Sequence, residues 1–498
     1  MTLHGTPPPP GADAAVPTSS AASGEGHLTR GAIGTGDLVF FVVAAAAPLT
    51  VIAGGAPLAI GMGGKATPFG YFVSGLLLMC FAAGFTAMSR YVRNAGAFYA
   101  YIGQGIGRPA GVGAAYVAIL AYNMVEVGLL AGFGFFAETG IDSVFGFHMV
   151  WWAWSLIGLV AIGALGYLKV TLSAKVLGVA LVLECLILLV LDGGIFADGG
   201  GPQGLDFTVF NPSHLGDSGV GGMFVLAIGA FVGFEATAIY AEEAKDPARS
   251  VPRATYIAVG FLGIFYAFSV WMILNAYGSD NAQAVAQGEG GPDMVYTAAG
   301  HFVGQWASDT MHVLIITSAF AATLAFHNGA ARYFYAMGRE GLMPRKLATI
   351  DRRMESPVVA VVAQSALALV GILVTIAVDA DPYMITFLWT NATGILGVMA
   401  MQLLAALAVI GYFRKDRRGF PVWRVVVAPI VAAVGLGYMI YKVVDGFDML
   451  TASGDSTNAA LIVPIPVVFV IGVVVALSIR ARQPERYAKL TTVDVERD

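Results

Sequence analysis

Residues 219–253 read GVGGMFVLAIGAFVGFEATAIYAEEAKDPARSVPR. An apolar run about as long as a bilayer is thick is punctuated by Gly229 and Gly233, carries Glu235 inside it, and ends in the mixed-charge cluster Glu242, Glu243, Lys245, Asp246, Arg249 and Arg253. A soluble core helix has no use for that length without a polar face, so the run reads as a membrane span with an interruption at mid-depth. The rest of the chain agrees: of 498 residues, 57% are hydrophobic, 12% are charged and 63 are glycine, whereas a soluble domain carries about a quarter charged residues. Spans of about 20 residues fit this content roughly a dozen times, which excludes an ordinary soluble enzyme.

Outward from that stretch, twelve apolar segments are bounded by Gly, Pro, charge or polar clusters, at about 36–62, 68–89, 110–137, 149–168, 172–191, 219–243, 253–277, 309–337, 357–378, 384–411, 422–442 and 459–480. An even number returns both termini to one side. Only Lys65 and Lys442 of the 27 Lys and Arg fall in loops on the opposite side, and basic residues are retained in cytoplasmic loops. Both termini are therefore expected in the cytoplasm, with the chain in the cell membrane. The loops Asp192 to Ser218 and Gly278 to Ser308, which contain no Lys or Arg, are expected outside. Residues 1–30, with Pro7 to Pro10 and an Ala/Ser/Gly-rich stretch, read as a disordered tail and not as a signal peptide. A net charge of −5 gives no reason for a nucleic-acid partner. Cys80 and Cys185 lie in apolar runs, so no disulfide framework or thiolate metal site is expected.

Segments one to five and six to ten each hold an odd number of spans, so a second copy of the first set inserts upside down, a recurrent transporter plan. The leading segment of each set is interrupted: Pro48, Gly54, Gly55 and Pro57 in the first, Gly229 and Gly233 in the sixth. Unwound backbone at membrane depth persists only where it lines a cavity or is buried in protein. The expected organisation is a tail (1–30), a five-helix repeat (31–195), its inverted counterpart (196–415), helices 11 and 12 (416–482) and a cytoplasmic C-terminal tail (483–498).

Three stretches carry a family resemblance: FVGFEATAIYAEEAKDPARSVPR from Phe231 to Arg253, HNGAARYFYAMGREGLMP from His327 to Pro344, and NAGAFYAYIGQGIGRPAGVG from Asn94 to Gly113. The chain resembles the amino acid, polyamine and organocation (APC) transporter superfamily over roughly residues 31 to 480. The resemblance implies an all-α integral membrane protein of twelve helices, a five-plus-five inverted repeat with broken helices 1 and 6, and a central substrate site. Two departures stand out. At the first break, where many relatives have a Gly-Ser-Gly-like turn, this chain has Ala47-Pro48-Leu49-Thr50-Val51. In the sixth segment Gly229 stands where relatives often place a bulky aromatic residue.

An interrupted helix offers unpaired N–H groups to a carboxylate at one half and free carbonyls to an ammonium at the other, and a zwitterionic amino acid complements both. Substrate is therefore expected at Ala47, Pro48, Leu49, Thr50, Val51, Phe231, Val232 and Gly233. Charged residues at membrane depth cost about 2.5–3.5 kcal/mol each on insertion scales, so Glu126, Glu184 and Glu235 each ask for a reason. Glu235 matches the family's acidic position after the sixth-helix break, which resembles a proton-linked gating residue. Glu184 stands near where proton-coupled relatives carry a lysine. Both are candidates for proton coupling, with helix packing as the bland alternative. Glu126 lies one turn after Tyr122, and the pair is expected either to approach the substrate side chain or to join helices. His327, Asn328, Arg332, Tyr333 and Tyr335 read as structural, the cluster from Glu242 to Arg253 as an inner gate or a solvated loop, and Trp151, Trp152 and Trp154 as interfacial anchors. No P-loop, nucleophile arrangement or ligand cluster is visible, so no cofactor, metal or enzymatic activity is expected. The expected function is a proton-coupled importer of an amino acid or related amine, with substrate, proton and lipid bilayer as its partners and no obligate protein partner. A polyamine or organocation carrier and a non-transporting nutrient sensor are the alternatives.

Overall fold

The computed structural model describes residues 34–92, 96–167, 170–217, 219–239, 244–351 and 356–491. The proposed N-terminal tail, Asn94, Glu242 and Glu243, and the end of the C-terminal tail lie outside them. In chain order the helices are α1 Thr35–Ala46, α2 Ala56–Gly63, α3 Thr67–Met88, α4 Phe98–Gly105, α5 Arg108–Phe145, α6 Trp151–Tyr167, α7 Val170–Ala197, α8 Val220–Gly229, α9 Ala236–Ile239 and α10 Pro247–Tyr277. They continue with α11 Ala282–Gln287, α12 Met294–Phe302, α13 Gln305–Arg339, α14 Val358–Ala377, α15 Leu388–Phe413, α16 Ala428–Asp445, α17 Phe447–Thr451, α18 Asp455–Ile462, α19 Pro464–Arg482 and α20 Pro484–Lys489. No β-strand occurs among the described residues.

Nine helical stretches among the described residues are long and apolar enough to cross a membrane. The count differs from the twelve sequence segments for two physical reasons. Residues Thr35–Met88 form one continuous stretch, because a single 3₁₀ turn at Gly64–Ala66 joins α2 to α3. The apolar helices Trp151–Tyr167 and Val220–Gly229 fall short of a full crossing by length, the second because the chain breaks at its end.

Local chemistry sets the helix ends. Gly34 N–H donates to Asp37 Oδ2 at 2.8 Å in the first turn of α1, and Asp381 accepts from the N–H groups of Tyr383 and Met384 where the turn before α15 begins. Proline opens α2, α3, α5 and α10, at positions where its missing N–H costs nothing. Lipid is as apolar as leucine, so spans associate through close packing of small residues. A Cβ on Gly75 of α3 would stand 2.8 Å from Gly263 Cα of α10, and one on Gly472 of α19 2.7 Å from Gly113 Cα of α5. The buried centre contains α1, α5, α8 and α13, while α14, α16 and α19 leave Val370, Val434 and Val474 on the outside, as a bilayer-facing layer requires.

Candidate substrate site

Two helix interruptions meet at the centre. Pro48 disfavours the α conformation in the residue before it, and Ala47 there adopts a left-handed backbone with φ 45°. After that single step the chain resumes as a wide π-helical turn, Thr50–Gly55, leading into α2. Opposite, α8 ends at Gly229, residues 230–235 pass as turns, and α9 begins at Ala236. Gly233 takes φ 110°, and a Cβ on it would lie 2.8 Å from Ala45 Cβ. Gly233 thus packs closely against the last turn of α1.

Beside them lies a small cavity of about 70 Å³, lined by Ala45–Ala47, Thr50, Val51, Gly55, Tyr71, Val125, Leu129, Leu226, Gly229, Ala230, Val232, Ala322, Phe326, Phe387, Asn391 and Ile395. Thr50 Oγ1 and Tyr71 Oη are both buried and have no hydrogen-bond partner.

Of the residues expected at the substrate, Ala47, Thr50, Val51 and Val232 line this cavity, whereas Pro48, Leu49, Phe231 and Gly233 are not among its lining. Phe231 turns away, packing edge-on against Tyr266 at 5.9 Å. The wall from α3, α5, α13 and α15 was not foreseen. Val125, Leu129, Phe326 and Ile395 carry no signal in an apolar span, but a phenol at Tyr71, deep in one, was a legible hint.

The three glutamates point elsewhere. Glu235 accepts from Tyr122 Oη at 2.5 Å and from Gly233 N–H at 3.0 Å. Tyr122 packs against Phe326 at 5.4 Å and Tyr333 at 4.9 Å. Glu184, from α7, faces Ser318 and the Leu49 N–H, leaving its Oε2 without a partner. The Thr50 N–H in turn donates to Ser318 Oγ at 3.2 Å. The N–H groups expected to await a carboxylate are therefore engaged by the protein's own side chains. Glu126 meets His327 Nδ1 at 2.7 Å and accepts from the Gln364 amide, which also reaches Asn123 Oδ1 at 3.1 Å. Ser365 lies 3.4 Å from His327 Nε2. Tyr122 and Glu126 share a helix face but meet different partners, Glu235 for the first and His327 of α13 with Gln364 of α14 for the second.

Both ends of the bundle are tied. At one, Gln283 and Gln287 of α11 donate to the carbonyls of Gly61 and Met62, and Lys65 pairs with Asp280 at 2.5 Å. The Lys65 ammonium holds the Asp280 carboxyl below the usual carboxylate range, and Gln203 adds to the effect. Burial acts upward on Asp206 nearby, yet bonds from Ser279 and Thr208 outweigh it and hold that carboxyl low. At the other end Glu340 accepts from Tyr99 Oη and the Thr491 N–H, both at 3.1 Å, and Arg108 donates to the Ala488 and Leu490 carbonyls. In the mixed-charge cluster Arg249 and Asp246 form an exposed pair at 3.8 Å. Among Trp151, Trp152 and Trp154 only Trp152 is largely exposed.

Comparison with known proteins adds to this geometry. The family profile described as amino acid permease matches residues 37–486. The chain is similar to the low-affinity putrescine importer PlaP of Escherichia coli strain K12, 26% identical over 350 residues that cover 67% of this chain and 73% of that protein. It is also similar to the uncharacterized transporter Rv1979c of Mycobacterium tuberculosis strain H37Rv, 27% identical over 337 residues, 61% of this chain and 66% of the relative. The uncharacterized transporter Mb2022c of Mycobacterium bovis matches at 27% over 245 residues, 46% and 52% of the two chains, so the chain spans about half to three quarters of these relatives.

Proposed function

Because the chain belongs to the amino acid permease family, a family of membrane transporters and not of enzymes, we propose that it is a secondary active importer of an amino acid or related amine, coupled to protons and working by alternating access. The observation that carries this reading is the cavity where two helix interruptions meet, with Thr50 and Tyr71, whose hydroxyls have no partner, among its lining residues. Interrupted helices at mid-depth are where such carriers hold their cargo.

In the layout we favour, the stretch Thr35–Met88 makes two crossings and the shorter α6 and α8 one each, giving twelve. Residues 31–195 and 196–415 are the inverted repeats, 416–482 the last two spans, and the tails 1–30 and 483–498 lie in the cytoplasm beneath the cell membrane. The distribution of Lys and Arg supports that orientation.

Glu235 and Glu184 are the proposed proton carriers. Glu235 accepts from the Gly233 N–H and Glu184 faces the Leu49 N–H at the other break, so protonation weakens the hold of each carboxylate on its break. A proton taken up there would free the break to receive the substrate carboxylate, which links the two cargoes. The similarity to a putrescine importer favours a polyamine carrier as the second reading, but none of the three glutamates lines the cavity.

The test compares proton-driven uptake with counterflow in liposomes for Glu184→Gln and Glu235→Gln. A Gln at the coupling position keeps the shape and removes the exchangeable proton. We expect counterflow to survive within about tenfold of wild type while pH-driven accumulation is lost in at least one variant. If both variants still concentrate substrate with wild-type pH dependence, neither carboxylate carries the proton.

A further inference from the structure

The cavity's lining is almost wholly apolar. The last residues of α1 and α8 bring Ala45–Ala47, Gly229 and Ala230 to it, and Val125, Leu129, Phe326, Phe387 and Ile395 also line it. Carbonyls at a helix C-terminus carry partial negative charge. Thr50, Tyr71 and Asn391 are the polar residues of the lining, and the Asn391 NH2 donates to the Phe387 carbonyl at 2.7 Å. Among the described residues, none of the lining side chains carries a charge. The membrane-depth carboxylates do not line the cavity: Glu126 is engaged by His327 and Gln364, Glu235 by Tyr122 and Gly233, and Glu184, whose Oε2 has no partner, lies outside the lining.

We infer that the cavity selects zwitterionic amino acids with an apolar side chain, of the leucine or phenylalanine kind, and rejects diamines and amino acids with a charged side chain. This deepens the transport reading and rests on it. A zwitterion has no net charge, so hydroxyls and backbone dipoles suffice for its ammonium and carboxylate. A second ammonium would have to enter the apolar wall, where desolvation is uncompensated. Ile395 sets the size limit: a Cβ on Gly229 would lie 2.5 Å from Ile395 Cδ1. The room left by the absent aromatic at Gly229 is thus taken by Ile395 and not released to the cargo.

The experiment is counterflow of labelled L-leucine, L-phenylalanine, L-lysine, L-glutamate and putrescine into liposomes containing the full chain. Leucine or phenylalanine should exchange at least about tenfold faster than each charged probe and the diamine, the scale on which pockets discriminate side chains. Faster or equal exchange of lysine, glutamate or putrescine overturns the assignment while leaving transport intact. No exchange of any probe overturns both. In Ile395→Ala the preference should move toward phenylalanine by about tenfold, and in the milder Ile395→Val by less, in the same direction. An unchanged leucine-to-phenylalanine ratio in folded Ile395→Val and Ile395→Ala would show that this wall does not face the side chain, and the assignment would fall.

Discussion

Gly233 holds a backbone conformation that side chains rarely adopt, φ 110°, with Ala45 Cβ 2.8 Å from where its own Cβ would be. Valine there adds strain of roughly 1–3 kcal/mol and pushes the two interruptions apart. Gly233→Val should lower the unfolding temperature and weaken substrate binding at least about tenfold, read by labelled-ligand binding to the purified, folded variant. Normal affinity would move the site elsewhere. Glu126 gives the opposite prediction. In Glu126→Gln one of two acceptor oxygens becomes an NH2, so charge-assisted bonds to His327 and Gln364 give way to neutral ones that require a change of His327 tautomer or a turn of the Gln364 amide. At about 0.5–1.5 kcal/mol for a lost bond, thermal stability should fall while substrate affinity holds. Lost binding at unchanged stability would return Glu126 to the ligand. The sequence makes plain that both residues are buried and consequential. It does not tell which way Glu126 points, since α5 is covered nearly all round and its apolar pattern has no single inward face.

At the scale of the element, both interruptions were legible, but not their form. Pro48 acts through the residue before it, and no special residue at 47 announces the left-handed step. Gly54 serves a different purpose from unwinding. Its missing Cβ makes room for the Phe136 ring, 2.7 Å away, and its carbonyl accepts from Tyr383 Oη at 2.7 Å. The clamp of α11 on the end of α2 was invisible, because Gln283 and Gln287 look like any loop glutamines. The Lys65–Asp280 pair in that clamp titrates in a defined direction. A carboxyl held low by an ammonium contributes stability above its ordinary value of about 3.9, and the contribution is lost as pH falls through the lowered one. Both side chains are partly exposed, and such pairs contribute little. Asp280→Asn should accordingly speed amide hydrogen exchange in residues 56–66 and 282–287 at neutral pH, with no difference from wild type in strong acid. Equal exchange at both pH values would leave the glutamine bonds alone as the clamp.

Across the whole molecule, the long apolar runs and the bias of basic residues were legible because hydropathy and charge are local properties. Which helices meet lipid was not, since an apolar side chain such as Val434 reads alike whether it faces lipid or protein. The orientation is testable by impermeant thiol labelling in a chain with Cys80 and Cys185 replaced. Cysteines at Ser213 and Ser453 should react from outside and one at Lys346 only after permeabilisation. Ser356 is a poorer reporter, being buried with its hydroxyl on the Tyr167 carbonyl. Outside labelling at Lys346 would invert the topology. The engaged amides at the two breaks have one more consequence, and it concerns the half of the cycle in which nothing is carried. With Glu235 bonded to the Gly233 N–H and Ser318 to the Thr50 N–H, those two dipoles are capped by the protein's own side chains, and the chain has no electrostatic reason to wait for a passenger before turning round. Vesicles holding no internal amino acid should therefore fill at a rate within about threefold of preloaded ones; a strict one-for-one swapper would fill only the preloaded set.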